Sequence, residues 1–139
     1  MNGECIRDVM TPDPVTVPST TPLEQAARQM RDAGIGNVIV LEGEQVAGIL
    51  TDRDIVVRAV AEGRDSRTPV GDVTSRDLTT IAPDATLEDA VELMRERSIR
   101  RLPVVEAGRA VGIVSLGDLA LERDPDSALG DISAAPPNA

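Results

Sequence analysis

The sequence predicts an α/β (α+β) fold made of two tandem β-α-β-β-α repeats packed about a pseudo-twofold axis. Three observations lead there. Shifted by 64 residues, the chain matches itself without gaps at about 15 of about 50 positions, where composition alone gives roughly 3. Each copy carries the same succession of extended, helical and hairpin patterns. One copy of about 50 residues is too small to bury a stable core alone. The two should therefore pack on each other and leave a cleft suited to a ligand.

The matches run through the whole unit. Asp8-Val9 falls on Asp72-Val73, Leu23-Glu24 on Leu87-Glu88, Ala26 on Ala90, and Met30-Arg31 on Met94-Arg95. Ile35 falls on Ile99, Gly48-Ile49 on Gly112-Ile113, and Asp54 on Asp118. Each unit begins with an extended piece, Val15 to Val17 or Thr79 to Ile81, followed by a turn at Pro18-Ser19 or Pro83-Asp84. Leu23, Ala26, Ala27 and Met30 then recur at helical spacing, as do Leu87, Ala90, Val91 and Met94. Gly34 is placed to stop the first helix. A hairpin follows, Asn37–Leu41 with Val46–Leu50, and Leu102–Val105 with Ala110–Val114. A second helix starts at Thr51 or Ser115. This divides the chain into a first repeat over 1–62, a polar linker over 63–69, a second repeat over 70–124, and a flexible tail over 125–139.

Composition excludes several functions. The chain has no His and no aromatic residue, so stacking of nucleic-acid bases on aromatic platforms and any mechanism built on histidine are ruled out. Its formal net charge of −10 makes it a poor partner for phosphate backbones. One cysteine, Cys5, cannot form an internal disulfide, which suits a reducing cytosol. With no apolar run of membrane-spanning length and no apolar signal-peptide core, the expected location is the cytoplasm.

The pattern richest in chemistry lies where each hairpin ends and the next helix begins. The first copy reads Gly48-Ile49-Leu50-Thr51-Asp52-Arg53-Asp54, and the second Gly112-Ile113-Val114-Ser115-Leu116-Gly117-Asp118. A hydroxyl residue followed three positions later by an acid is a capping box, a structural role. The same residues also suit a ligand. A helix N-terminus attracts phosphate, a hydroxyl donates to it, an Asp accepts from paired ribose hydroxyls, and glycine admits a close approach. Asp52 and Asp54, flanked by Arg53, do not make a metal pair, and Met30 and Met94 belong to the core. The pair Glu88-Asp89 reads as helix-dipole acids, and Cys5 as inert rather than a redox switch.

With these motifs in view, the duplicated unit resembles a pair of CBS domains, a Bateman module, over about residues 6–122. The runs Ile6-Arg7-Asp8-Val9-Met10-Thr11 and Ile99-Arg100-Arg101-Leu102-Pro103-Val104-Val105 support the resemblance, and Leu50 to Arg58 is similar to the short stand-alone actinobacterial CBS pairs. The resemblance implies two clefts for AMP, ADP, ATP or S-adenosylmethionine, each drawing on both repeats. One would combine Thr21, Ala26, Ile35 and Gly36 with Ile113, Ser115 and Asp118. The other would combine Ala85, Ala90, Ile99, Arg100 and Arg101 with Ile49, Thr51, Arg53 and Asp54. Aliphatic side chains would sandwich the base. Two departures stand out: Asn37-Val38-Ile39-Val40 lacks the usual proline, and Ala85 lacks the hydroxyl that Thr21 supplies.

Arg100 and Arg101 read equally as a solvated charge pair or as phosphate contacts. Arg53, Arg100 and Arg101 face Gly117, Gly36 and Asn37 in the alignment, so on the second reading the Thr51/Asp54 cleft is expected to favour polyphosphate ligands. The reading that follows is a non-enzymatic regulatory module that senses an adenine nucleotide and acts through its conformation or an unknown protein partner in trans. It would touch neither nucleic acid nor membrane. The alternative is an interaction module of the same shape with empty clefts. The apolar run Ile55, Val56, Val57, Ala59, Val60 and Ala61 exceeds one buried stripe and suggests a homodimer interface.

Overall fold

The structure is a computed structural model that describes residues 4–75 and 78–123. The tail expected over 125–139 lies outside the described residues. In order, the elements are α1 (Ile6–Val9), β1 (Thr11–Pro12), β2 (Thr16–Pro18), α2 (Leu23–Ala33), β3 (Asn37–Glu42), β4 (Gln45–Thr51) and α3 (Asp52–Asp54). A π-helix (Ile55–Val60) continues α3, and a 3₁₀ turn (Val70–Asp72) follows. Then come α4 (Leu87–Arg97), β5 (Arg101–Glu106), β6 (Arg109–Ser115) and α5 (Leu116–Arg123). The expected β-α-β-β-α order is complete in the first repeat, and in the second the opening extended piece is reduced to a single parallel bridge between Ile81 and Val104.

Two compact units result. Of the described residues, 15–75 and 78 form one, and 4–14 join 79–123 in the other. In the first, β2 runs parallel to β3, and β3 antiparallel to β4. In the second, β5 and β6 are antiparallel, β1 adds to the free edge of β6, and Ile81 bridges Val104 where β2 lies in the other sheet. Both hairpins close on two residues, Gly43-Glu44 and Ala107-Gly108. Gly43, Ala107 and Gly108 take positive φ values of 65°, 53° and 81°, the geometry that tight hairpins require. A register shift falls after Val40 and after Val104, the same place in each repeat.

The cores correspond through the 64-residue shift. Val17, Leu23, Ala26, Met30, Val38, Val40 and Leu50 are buried in one; Ile81, Leu87, Ala90, Met94, Leu102, Val104 and Val114 are buried in the other. Three consecutive buried positions, Val38 to Val40 and Leu102 to Val104, cover both faces of β3 and β5. This explains why those strands lack polar alternation.

The opening segment of each repeat is built into the body of the other. Ile6, in α1, is fully buried in the core around Leu87, and Val70, in the 3₁₀ turn, is fully buried in the core around Leu23. The docking bonds match one for one. Ile6 N–H donates to the Ala85 carbonyl at 3.0 Å and Arg7 N–H to Pro83 at 2.9 Å; Val70 N–H donates to Thr21 at 2.8 Å and Gly71 N–H to Ser19 at 2.9 Å. Helix termini explain these partners. A helix start carries unsatisfied N–H groups, and loop carbonyls of the other repeat receive them. The 63–69 stretch has a similar duty. Pro22 offers α2 no side-chain cap, and Leu23 and Glu24 N–H donate instead to the carbonyls of Thr68 and Ser66.

Glycine in the motif serves this exchange. A Cβ on Gly48 would lie 2.5 Å from the Ser75 carbonyl oxygen and 2.6 Å from the Thr74 methyl. On Gly112 it would meet the Met10 thioether and the Thr11 carbonyl oxygen. The close approach that glycine permits here is that of the chain's own exchanged segment, where the sequence pattern suggested a ligand. Gly48→Ala should therefore cost about 1–3 kcal/mol, the range of an overpacked core. Gly112→Ala should also destabilise, and by less, because its nearest backbone contact, the Thr11 carbonyl oxygen, lies at 2.9 Å rather than 2.5 Å. Urea unfolding followed by far-ultraviolet circular dichroism measures both.

Candidate functional site

Each hairpin ends by turning directly into a helix, and the turn is held by a reciprocal pair of bonds. In the first repeat, Thr51 N–H donates to Asp54 Oδ2 at 3.0 Å, and Asp54 N–H donates to Thr51 Oγ1 at 3.1 Å. In the second, Ser115 N–H donates to Asp118 Oδ2 at 2.9 Å, and Asp118 N–H donates to Ser115 Oγ at 3.2 Å. All four side chains are half-buried. These are capping boxes, so the structural reading of the motif holds. Chemical capacity remains beyond it. A hydroxyl that accepts one bond still has its proton to donate, and a carboxylate offers about four acceptor positions.

The backbone donors at the first helix start are engaged. Asp52 N–H donates to the Gly36 carbonyl at 2.9 Å, and Arg53 N–H to the Asp52 carboxylate at 2.8 Å. In the second repeat, Leu116 N–H donates to the Arg100 carbonyl at 2.8 Å. A phosphate at the first motif would thus meet the Thr51 hydroxyl and nearby cations before it met free amides.

Several named residues come together within each unit. Gly36 reaches the Thr51–Asp52 corner through its carbonyl, and Asn37 pairs with Thr51 across β3 and β4. Arg100 reaches the Ser115–Leu116 corner in the same way, and Arg101 pairs with Ser115. Ile49 and Ile113 sit two residues before the hydroxyls, each half-buried. Ile35 and Ile99 are half-buried at the ends of α2 and α4. Thr21 is buried, whereas Ala85 is half-buried; their carbonyls hold the exchanged segments. Ala26 and Ala90 are core residues with 0% exposure. Arg53 and Arg100 are exposed, and Arg101 is half-buried.

The structure adds one residue to those the sequence motifs single out. Arg58 Nε lies 3.7 Å from Asp54 Oδ1, so the motif carboxylate has a cation one helical turn on. The spacing of four residues is the available signal. The 64-residue shift puts Glu122 opposite Arg58 in the second repeat.

Comparison with known proteins gives the family. The CBS domain model matches residues 6–60 and 70–123, and the chain belongs to that family. CBS domains are regulatory modules rather than catalysts. CBS domain-containing protein YhcV of Bacillus subtilis is 42% identical over 90% of this chain and 89% of its own. Hypoxic response protein 1 of Mycobacterium tuberculosis is 34% identical over 82% of this chain and 81% of its own.

A crystal structure of Hypoxic Response Protein I with two coordinated zinc ions shares 31% identity, with a TM-score of 0.78 over 86% of this chain and 98% of that one. Among the described residues no three His, Cys, Asp or Glu side chains are grouped so as to hold a metal ion. The fold also matches the CBS pair of MJ0100 with 5-methylthioadenosine and S-adenosyl-L-methionine (22% identity, TM-score 0.79, 89% of this chain and 98% of that one). CBSX2 in complex with AMP is similar (24% identity, TM-score 0.75, 87% and 96%). No helix among the described residues is long and apolar enough to cross a membrane.

The capping role predicts its own signature. Thr51→Ala should lower stability by about 1 kcal/mol, and Thr51→Ser should restore most of it. Thermal unfolding by circular dichroism separates the two variants.

Proposed function

We propose that the protein is a regulatory module that binds an adenosine-containing ligand through its two hydroxyl-x-x-Asp corners. The observation that carries this reading is the pair of half-buried Thr51/Asp54 and Ser115/Asp118 corners, each with hydrogen-bonding capacity left after capping. In each, the carboxylate would accept from the ribose hydroxyls and the hydroxyl would donate to a phosphate oxygen. Ile35, Ile49, Ile99 and Ile113 supply the aliphatic surface for the base, with Thr21, Gly36 and Ala85 at its edge. Arg53, Arg100 and Arg101 favour an anionic tail. Ala26 and Ala90, wholly buried, would act from behind by leaving room. CBS pairs of the same fold hold AMP or S-adenosyl-L-methionine, which makes adenosine compounds the first chemistry to test.

The ligand would act by population shift, favouring one arrangement of the module over another. Titration calorimetry with AMP and ATP tests this. Asp54→Ala and Asp118→Ala should each remove binding at one corner, a loss of about 1.5–3 kcal/mol for a charged hydrogen bond. Unchanged affinity in both variants would reject the ribose role. No binding by the parent chain would favour an interaction module with empty clefts.

The same reading includes a homodimer. Val56, Val57 and Val60 are 59%, 47% and 69% exposed, and they are the large exposed hydrophobic residues among those described. They project from the π-helix, whose Ala59 is buried. Sedimentation of the parent should give twice the 14.7 kDa chain mass at micromolar concentration, and Val60→Asp should return the single-chain mass. A parent that sediments as one chain would contradict it.

A further inference from the structure

We propose that Met10 is an oxidation site through which a hydroperoxide loosens the first repeat's opening segment from β6. The thioether of Met10 lies against Gly112, in the space that a Cβ there would take, and its Cγ is 2.9 Å from that point. The backbone around it is engaged in the same docking. Met10 N–H donates to the Ile6 carbonyl at 2.9 Å, and Thr11 and Pro12 pair with Ile113 and Gly112. A sulfur packed on a glycine with no room to spare is a contact that one added atom disturbs.

Exposure selects this methionine. Met30 and Met94 are 5% and 4% exposed inside the two cores, whereas Met10 is half-buried at the border of its own. A small peroxide in solvent reaches Met10 and is kept from the other two. The terminal peroxide oxygen bonds to a sulfur lone pair as the O–O bond breaks. The sulfur loses two electrons, and the hydroperoxide leaves as water or an alcohol. The product is a sulfoxide, polar and larger by one oxygen, where an apolar thioether was packed. Gly112 has no room for that oxygen, so the side chain must turn away from β6. A dithiol reductant reverses the step: the oxygen leaves as water and the thiols end as a disulfide.

The other unit holds the same contact without the sulfur. The 64-residue shift puts Thr74 where Met10 stands, and the Thr74 methyl lies 2.6 Å from the Cβ position of Gly48. The Thr74 hydroxyl donates to the Val70 carbonyl at 2.6 Å. Threonine offers a peroxide nothing to oxidise. Two segments thus rest on equivalent glycines, and only the one at Met10 carries an oxidisable atom there. The strand it would leave, β6, runs on to Ser115, so the change acts on the frame of the second corner.

The test uses the full chain as Cys5→Ser, which removes the thiol and puts a hydroxyl in the same capping place. Hydrogen peroxide is added, peptide mapping by mass spectrometry follows each methionine, and amide hydrogen exchange is read by nuclear magnetic resonance. Met10 should oxidise about tenfold faster than Met30 and Met94. In the oxidised chain the Ile6 and Arg7 amides, which donate to Ala85 and Pro83, should exchange about tenfold faster. Those of Val70 and Gly71, which hold the other segment, should change by less than about threefold. Met10→Leu keeps an apolar side chain of similar volume and should make exchange at Ile6 and Arg7 insensitive to peroxide. Oxidation of Met10 no faster than of Met30 and Met94 overturns the site. Oxidation at Met10 with exchange at Ile6 and Arg7 unchanged, or an equal loss of protection in Met10→Leu, overturns its effect on the segment.

Discussion

The exchange of opening segments is the constraint on which the rest depends. Each repeat supplies a short helical segment that finishes the other repeat's core: Ile6 in one unit and Val70 in the other, both without exposed surface. Burial of one such aliphatic side chain is worth about 1.5–3 kcal/mol, a large share of what a small unit has to spare. The segments arrive beside β4 and β6, at Gly48 and Gly112, where no side chain fits. The register shifts after Val40 and Val104 fall in strands opposite those glycines, so the hairpin bends where the incoming segment needs room. Duplication and exchange thus solve one problem together: a unit too small to close its own core borrows closure from its twin.

Beyond the glycines the hairpins end at the two capping corners, and this order is physical. Gly48 fixes where the exchanged segment crosses, and three residues later Thr51 begins the helix. The corner is rigid because both members of each pair donate and accept. A rigid corner with a hydroxyl and a carboxylate at fixed separation is a suitable place to read a sugar and a phosphate. The two corners share this frame, and Arg53 in the first stands where the second has Gly117.

Much of this is legible in the sequence. The 64-residue self-match locates both helices, both hairpins and both corners, because identical core positions such as Leu23/Leu87 and Met30/Met94 are dictated by the same packing. Gly34 stops α2 with a φ of 66°, as its position implies, and Ser98 does the same for α4 at 55°. The exchange is not legible, because a repeat read along the chain says nothing about which copy its opening segment joins. The duty of the Ser66 and Thr68 carbonyls is hidden too: this polar stretch caps α2 through its backbone, which no side-chain pattern records. The π-helix after Asp54 is not legible either: the β-branched Ile55, Val56, Val57 and Val60 weaken helix propensity but do not specify an i→i+5 bond. Arg58 lies one turn beyond the motif, so the hydroxyl-x-x-Asp spacing does not reach it.

The exchange is tested most directly by trapping it. Cys5, the only cysteine, bridges Thr86 as an antiparallel neighbour. Such neighbours have Cα atoms about 4.5–5.5 Å apart, within disulfide reach. Mild oxidation of Thr86→Cys should join residues 5 and 86 in one bond, identified by peptide mapping and mass spectrometry under non-reducing conditions. If the thiol of Cys5 stays free while the chain remains folded, the opening segment is not where this account places it.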